Sequence, residues 1–303
     1  MRNSRIQIFG RIGQVGWELR HKLACLGQVS TVEYPEVDFT NSDSIRSAVR
    51  AVEPAVIVNA VAYTAVDKAE SELPRATAIN ATGPGVLAEE AKRLGCLLVH
   101  YSTDYVFDGS KQMPWVETDV PNPLNAYGRT KLAGDQAIQA SGCDHLIFRT
   151  SWVYGWRGSN FLLTMLKLAK QKKELSIVDD QVGAPTSAEC IAQATSDVLA
   201  PGGAGIQRRS GIYNLTSSGE TTWFGFTKAI LSEAAVRFGS PLPNLVPILT
   251  ADYPTPAKRS ANSRLSCERL EQTFGVSLPH WEQALSLVLD TLAEGSSPIR
   301  SKV

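Results

Sequence analysis

The sequence predicts a doubly wound α/β protein: a parallel sheet with helices on both faces, followed by a smaller, mostly helical C-terminal domain. Three observations carry this. Short apolar runs alternate with helix-period stretches through the first half, glycines mark the junction of the first run with the first helix, and the alternation stops near residue 150.

The elements follow in order. Residues 5–9 (Arg-Ile-Gln-Ile-Phe) form a short β-prone run, and 16–26 repeat apolar residues at helical spacing. Strand 29–33, helix 43–52 and strand 55–60 complete the first repeats. A helix over 75–94, a strand over 97–102, a helix containing Tyr127 and a strand over 145–150 continue them. Beyond 150 come amphipathic stretches at 160–173 and 187–199, a Gly-rich link at 201–205 and a strand-like 211–215. Helix-like 222–238 and 279–292 follow, with Pro-rich loops between. The expected division is 1–150, with about 185–215 returning to it, as a dinucleotide-binding domain. About 151–184 and 216–295 form a substrate domain, and 296–303 a loose tail.

Composition excludes several classes. The 303 residues carry 30 basic and 30 acidic side chains, so no global field draws the protein to nucleic acid or membrane. No signal peptide is legible at the start, and no stretch approaches the roughly 20 apolar residues of a membrane span. Five scattered cysteines, without Cys-x-x-Cys spacing, read as reduced thiols of a cytoplasmic protein. The four histidines, His21, His100, His145 and His280, lack metal spacing. Neither a Gly-x-Ser-x-Gly elbow nor a Walker lysine occurs.

Gly10, Gly13 and Gly16, spaced Gly-x-x-Gly-x-x-Gly with Gln14 and Val15 between, fall where the first strand enters the first helix. Glycines there permit a tight turn and let backbone N–H groups approach a pyrophosphate, the Rossmann-type arrangement. Arg11 either adds charge beside those phosphates or is simply solvated. Glu33, about 20 residues on, is placed to accept from a ribose 2'-hydroxyl, which favours NADH over NADPH. Asp38 and Phe39 are placed to bracket an adenine. Asn59-Ala60-Val61-Ala62-Tyr63 ends the third strand, and its small residues leave room for the dinucleotide.

Ser102, Thr103, Asp104 and Tyr105 end the fourth strand, where such a sheet holds the nicotinamide. Thr103 can donate to a substrate oxygen. Tyr127 and Lys131 lie one turn apart on one helix face. A fixed ammonium there brings the phenol, with an ordinary pKa of roughly 10, closer to neutrality, so that Tyr127 acts as proton donor while Lys131 holds the ribose. Trp152 either walls a sugar pocket or packs the core.

These residues resemble the extended short-chain dehydrogenase/reductase family, and within it the dTDP-4-dehydrorhamnose reductases, over nearly the whole chain. The resemblance rests on Gly10 to Gly16 with Trp17-Glu18-Leu19, Thr64 to Glu70, Tyr101 to Phe107, Tyr127 to Gly134 and Arg149 to Tyr154. It extends to Asp180 to Thr186, Thr221-Thr222-Trp223 and Tyr253 to Pro256. It implies reduction of the carbon-4 ketone of the sugar nucleotide dTDP-4-dehydro-6-deoxy-L-mannose by NADPH or NADH, the last step of dTDP-L-rhamnose synthesis. It further implies cofactor contacts at Gly13, Gln14, Val15, Glu33, Asp38, Phe39, Ala62, Tyr63, Thr64, Tyr127 and Lys131. Gly10, Gly16 and Ser102 join them by position. Implied substrate contacts are Thr103, Asp104 and Trp152, with Tyr105 beside them.

Three positions depart from the family pattern. Ile12 replaces a small polar residue of the glycine loop, and Arg259-Ser260 stands where Arg-Pro is expected. Some relatives are homodimers bridged by Mg2+ through three glutamates; Glu18 and Glu189 match, but the third position is Thr291. Two other readings stay open at this point. One is a sugar epimerase or dehydratase of the same fold, although the position after Asp104 is Tyr105 rather than an acid. The other is a non-catalytic NADP-binding subunit like that of methionine adenosyltransferase, which would have no use for the Thr103, Tyr127 and Lys131 set.

Overall fold

The computed structural model describes residues 4–200 and 209–295, so the expected tail and the whole of the Gly-rich link at 201–205 lie outside the described residues. Strands β1 (Arg5–Phe9), β2 (Gln28–Val32), β3 (Val56–Asn59), β4 (Leu97–Thr103) and β5 (His145–Thr150) alternate with helices. These are α1 (Gln14–Lys22), α2 (Ser42–Val52), the short α3 (Val66–Ala69) and α4 (Leu73–Thr77), α5 (Gly83–Leu94) and α6 (Ala126–Ser141). Next come β6 (Val153–Tyr154), α7 (Phe161–Gln171), β7 (Glu174–Val178), β8 (Val182–Gly183), β9 (Thr186–Ser187), α8 (Ala188–Leu199) and β10 (Gly211–Asn214). The chain continues through β11 (Thr221–Thr222), α9 (Trp223–Phe238), β12 (Asn244–Ile248), α10 (Glu268–Phe274) and α11 (Trp281–Gly295).

Six strands form one parallel sheet in the order β10-β5-β4-β3-β1-β2. Side chains alternate across it, so each strand feeds two cores. Ile6, Ile8, Val56, Val58 and Val99 face α1 and α8 through Leu19, Leu23, Ile191 and Val198. Phe9, Ile57, Leu98 and Ile147 face α2, α5 and α6 through Ile45, Val49, Leu87 and Ile138. Burial on both faces explains why the first three residues of β3 and of β4 read as continuous apolar runs rather than alternating ones. The strand order reverses direction between β1 and β3, and such a switch point opens a crevice at the carboxyl ends.

A third core joins α7, β7, α9 and α11 through Leu162, Leu175, Phe226, Trp281 and Leu285. Leu270, Val276 and Leu278, from the stretch expected in the substrate domain, instead join the core under α1 and α8. Among the described residues, no helix is long and apolar enough to cross a membrane.

The helix expected over 75–94 is interrupted by a π-turn at Ala78–Thr82 between α4 and α5. Pro84 has no N–H to return to the carbonyl four residues back, that of Asn80. Gly134 of α6 packs against that carbonyl, where an added Cβ would come within 2.2 Å. The π-turn therefore shapes the contact between this helix and the one that carries Tyr127.

Candidate active site

The glycine loop folds back on itself. Gly10 takes φ +93°, donates to the Val32 carbonyl at 3.0 Å, and accepts from Gly13 N at 3.3 Å. A Cβ on Gly16 would lie 1.9 Å from the Gly10 oxygen, and one on Gly10 would lie 2.9 Å from the Ala60 backbone. Only glycine fits at either place. No side chain caps α1, and no acidic residue occupies its first turn. Its N–H groups and positive dipole end thus suit a pyrophosphate, and the residues present fit a dinucleotide.

At the adenosine end Glu33 accepts from Ile12 N at 3.4 Å and from Tyr34 N at 3.2 Å, beside the loop. Arg11 is held by Glu36 through two hydrogen bonds, at 2.5 and 2.9 Å, and by the Thr31 carbonyl, so its charge is not free for phosphate. Thr40 bonds to the Asp38 carboxylate and lowers its pKa. The Phe39 ring is turned into the core, edge-on to Phe9 at 5.8 Å, because Gly83 leaves space there.

After β3, Tyr63 is clamped by its backbone: Asn80 Oδ1 accepts from Tyr63 N at 2.8 Å, and Asn80 Nδ2 donates to Tyr63 O at 3.2 Å and to Thr130 at 3.1 Å. Asn80 is fully buried and ties the π-turn, the loop after β3 and α6 together. Nothing in sequence spacing marks it, since its partners lie 17 and 50 residues away.

Helix α6 starts where two side chains hold it. Asn125 accepts from Gly128 N at 2.8 Å as N-cap, and Glu70 accepts from Ala126 N at 2.7 Å. This entry places Tyr127 at the end of β4, with the Tyr105 ring edge-on at 5.4 Å. Thr103 donates to Asp104 Oδ1 at 2.9 Å and accepts from Tyr105 N at 3.2 Å. Its hydroxyl thus lies between the Asp104 carboxylate and the Tyr127 phenol.

Two electrostatic expectations change. Burial first, and then the Asp104 charge, push the Tyr127 phenol above its ordinary value, against a smaller opposite pull from Thr103. The expected lowering by Lys131 is not found, because the Lys131 amine is directed elsewhere, 2.6 Å from the Tyr101 carbonyl and 3.1 Å from His100 Nε2. Burial lowers Lys131 to about 8, with Asp135 opposing. Burial also raises Asp104 to about 6. Ser102 is equally drawn inward: it is buried and donates to Asp135 at 2.9 Å, as part of the support beneath the site.

Trp152 takes φ +49°, a conformation uncommon for a bulky residue, and stacks on Trp223 at 3.6 Å between ring centres. Gly183 makes room for it, since a Cβ there would meet the indole at 2.6 Å. Gln181 fixes Trp223 by accepting from its Nε1 at 3.2 Å. Arg259 donates to Asp67 at 2.9 Å and so holds the loop after β12 to α3 without the expected proline. Glu18 accepts from Trp156 at 2.8 Å, Glu189 pairs with Lys22 at 3.0 Å, and Thr291 donates to Leu287 O. Among the described residues, no three His, Cys, Asp or Glu side chains converge as metal ligands.

The sequence matches the family described as RmlD substrate binding domain over residues 4–294. It is 48% identical to dTDP-4-dehydrorhamnose reductase of Burkholderia thailandensis, over 96% of this chain and 100% of that protein. Its identity to the enzyme of the same name from Escherichia coli is 46%, over 95% and 97%. Among solved structures, a dTDP-4-dehydrorhamnose reductase from Clostridium acetobutylicum superposes with a TM-score of 0.88 at 36% identity, covering 95% of this chain and 99% of that one. The Bacillus anthracis enzyme in complex with NADP does so with a TM-score of 0.88 at 31% identity and the same coverage.

Proposed function

Because the chain belongs to the RmlD substrate-binding-domain family, whose relatives are dTDP-4-dehydrorhamnose reductases, we infer that it reduces the carbon-4 ketone of dTDP-4-dehydro-6-deoxy-L-mannose to dTDP-L-rhamnose. One observation carries the reading: α6 brings Tyr127 beside Thr103 and Asp104, on the same sheet edge as the glycine cradle of β1. When bound, a nicotinamide cofactor supplies the hydride that reduces carbon 4.

Gly10, Gly13 and Gly16 with the start of α1 hold its phosphates, and Tyr63, clamped by Asn80, borders its path across the sheet. The raised pKa of Tyr127 keeps the proton on the phenol at neutral pH. That proton passes to the ketone oxygen as carbon 4 is reduced, completing the hydroxyl. Asp104 accepts the Thr103 proton and so orients the Thr103 oxygen beside the phenol. Trp152 and Trp223 wall the sugar side. Residues 1–150 with about 185–215 bind the cofactor, and about 151–184 with 216–295 enclose the sugar nucleotide, apart from Leu270, Val276 and Leu278, which pack under the sheet. Glu33, beside the glycine loop at the ribose end, favours NADH over a 2'-phosphate, while Glu36 is balanced by Arg11.

The test is NMR identification of the product from the enzymatically prepared 4-keto sugar nucleotide, with each cofactor in turn. Tyr127→Phe should lose at least ~100-fold in kcat, as expected for removal of a general acid. Undiminished turnover by that variant would remove Tyr127 from the reaction.

A further inference from the structure

Several residue types could cap α6 at position 125, since serine, threonine, aspartate and asparagine all accept from the free N–H groups of a first helical turn. Asparagine adds a donor. The Asn125 Oδ1 accepts from Gly128 N at 2.8 Å, and its Nδ2 donates to the Lys258 carbonyl at 2.9 Å. A backbone N–H can only donate and a carbonyl can only accept, so the two partners fix the orientation of the amide from both sides. A serine or threonine hydroxyl ends one atom short of that NH2, and an aspartate has no proton to offer the carbonyl. Asn125 is 2% exposed, so neither bond is readily replaced by water.

The Lys258 carbonyl belongs to a segment, 257–263, that lies between β12 and α10 and reaches both sides of the site. Asp67 of α3 accepts from Ala257 N at 3.1 Å and from Arg259 at 2.9 Å, which holds the same end of the segment as Asn125 does. Further along, Val182 N donates to the Ala261 carbonyl and Ser263 N to the Val182 carbonyl, both at 2.8 Å, so the segment runs beside β8. Val182 pairs with Thr222 of β11, the N-cap of α9, whose first residue is Trp223. Gly183, next to it, leaves the space that Trp152 fills. The end of the segment places Ser263 beside Asp104.

We propose that Asn125 is a positioning residue that ties the acid to the sugar wall. The oxygen of its amide sets the start of α6, where Tyr127 is the second residue, and the nitrogen holds segment 257–263, which carries the backing of Trp152 and Trp223. The phenol and the two indoles thereby keep a fixed relation across the crevice. The helix needs only a cap at this position; the link needs the asparagine. The link stands on the hydrogen bonds, and its effect on turnover rests on the reductase reading.

Asn125→Ser keeps the cap and removes the donor. Hydrogen exchange of the whole protein, read by mass spectrometry, should show 257–263 exchanging at least ~5-fold faster than in the parent, the effect of losing about one hydrogen bond, while the first turn of α6 stays as protected as before. Dinucleotide affinity in calorimetry should be unchanged, and kcat with the 4-keto sugar nucleotide should fall about tenfold, as expected when an acid is displaced from its substrate. Asn125→Asp, of the same size and with the cap intact, should behave alike and serves if the serine variant does not fold. Asn125→Ala, which loses both bonds, should in addition speed exchange in the first turn of α6. Unchanged exchange over 257–263 in the serine or aspartate variant would show that the bond carries nothing. Faster exchange there with unchanged kcat would show a link that does not position Tyr127, and loss of dinucleotide affinity or of protection in α6 would reduce Asn125 to an ordinary cap; each of these overturns the proposal. A parent protein that leaves the 4-keto sugar nucleotide unreduced would instead refute the reductase reading, and the exchange result alone would then decide the link.

Discussion

Asp104→Asn should make the protein more stable and less active. Asp104 is 2% exposed; Thr103 bonds to its Oδ1 at 2.9 Å, whereas Oδ2 makes no well-formed hydrogen bond among the described residues and has the Ser263 hydroxyl beside it. Burial raises the carboxyl from 3.8 to about 6. An acid whose pKa is higher in the folded than in the unfolded state keeps its proton longer when folded. Stability is therefore greatest below the unfolded value and falls as pH rises from about 4 to about 6. A difference of about 2 units corresponds to about 3 kcal/mol lost at neutral pH.

Asparagine removes the titration, keeps an oxygen for Thr103, and places an NH2 where Oδ2 was. Chemical denaturation across about pH 4 to 8 should show a gap in favour of the variant that opens between pH 4 and 6 and is constant above 7. By thermal melting near pH 7.5 the gain should be on the order of 5 °C. A variant less stable than the parent at pH 7.5, or a gap independent of pH, would refute the assigned burial cost. The accompanying loss of turnover would mark Asp104 as a group kept for the reaction at the expense of stability.

Asn80→Ala should destabilise by about 1–3 kcal/mol, since it leaves the Tyr63 N–H and C=O without their partner and takes a donor from Thr130, which keeps only its bond to the Tyr127 carbonyl, and this can be read by urea unfolding. Gly16→Ala should abolish dinucleotide binding in calorimetry, because its Cβ would stand 1.9 Å from the Gly10 oxygen and force the cradle open. Glu33→Gln should raise kcat/KM for NADPH relative to NADH by about tenfold, equivalent to roughly 1.4 kcal/mol, as one repelling charge leaves the ribose end. An unchanged cofactor ratio would place the 2'-position away from Glu33.

Much of this molecule is local in sequence and was legible there. Strand and helix periodicity gave the doubly wound sheet, because a strand buried on both faces is apolar over most of its length and a crossover helix must be amphipathic. The glycine trio gave the cradle, because only residues without a Cβ fit against the Gly10 carbonyl and the Ala60 backbone. The spacing of Tyr127 and Lys131 put both on α6. The π-turn was not legible, although Pro84 was its visible cause, because a helical pattern persists through it.

What the tertiary structure alone decided is the chemical state of those residues. Lys131 meets His100 across 31 positions, Asn59 meets His100 across 41, and Asn80 meets Thr130 across 50. Trp152 stacks on Trp223 of α9, and Asp104 is buried beside Ser263. Sequence spacing fixes which side chains share a helix face or a strand end. Proton affinity and hydrogen-bond direction depend instead on burial and on groups brought in from other strands, and the topology of the sheet sets both.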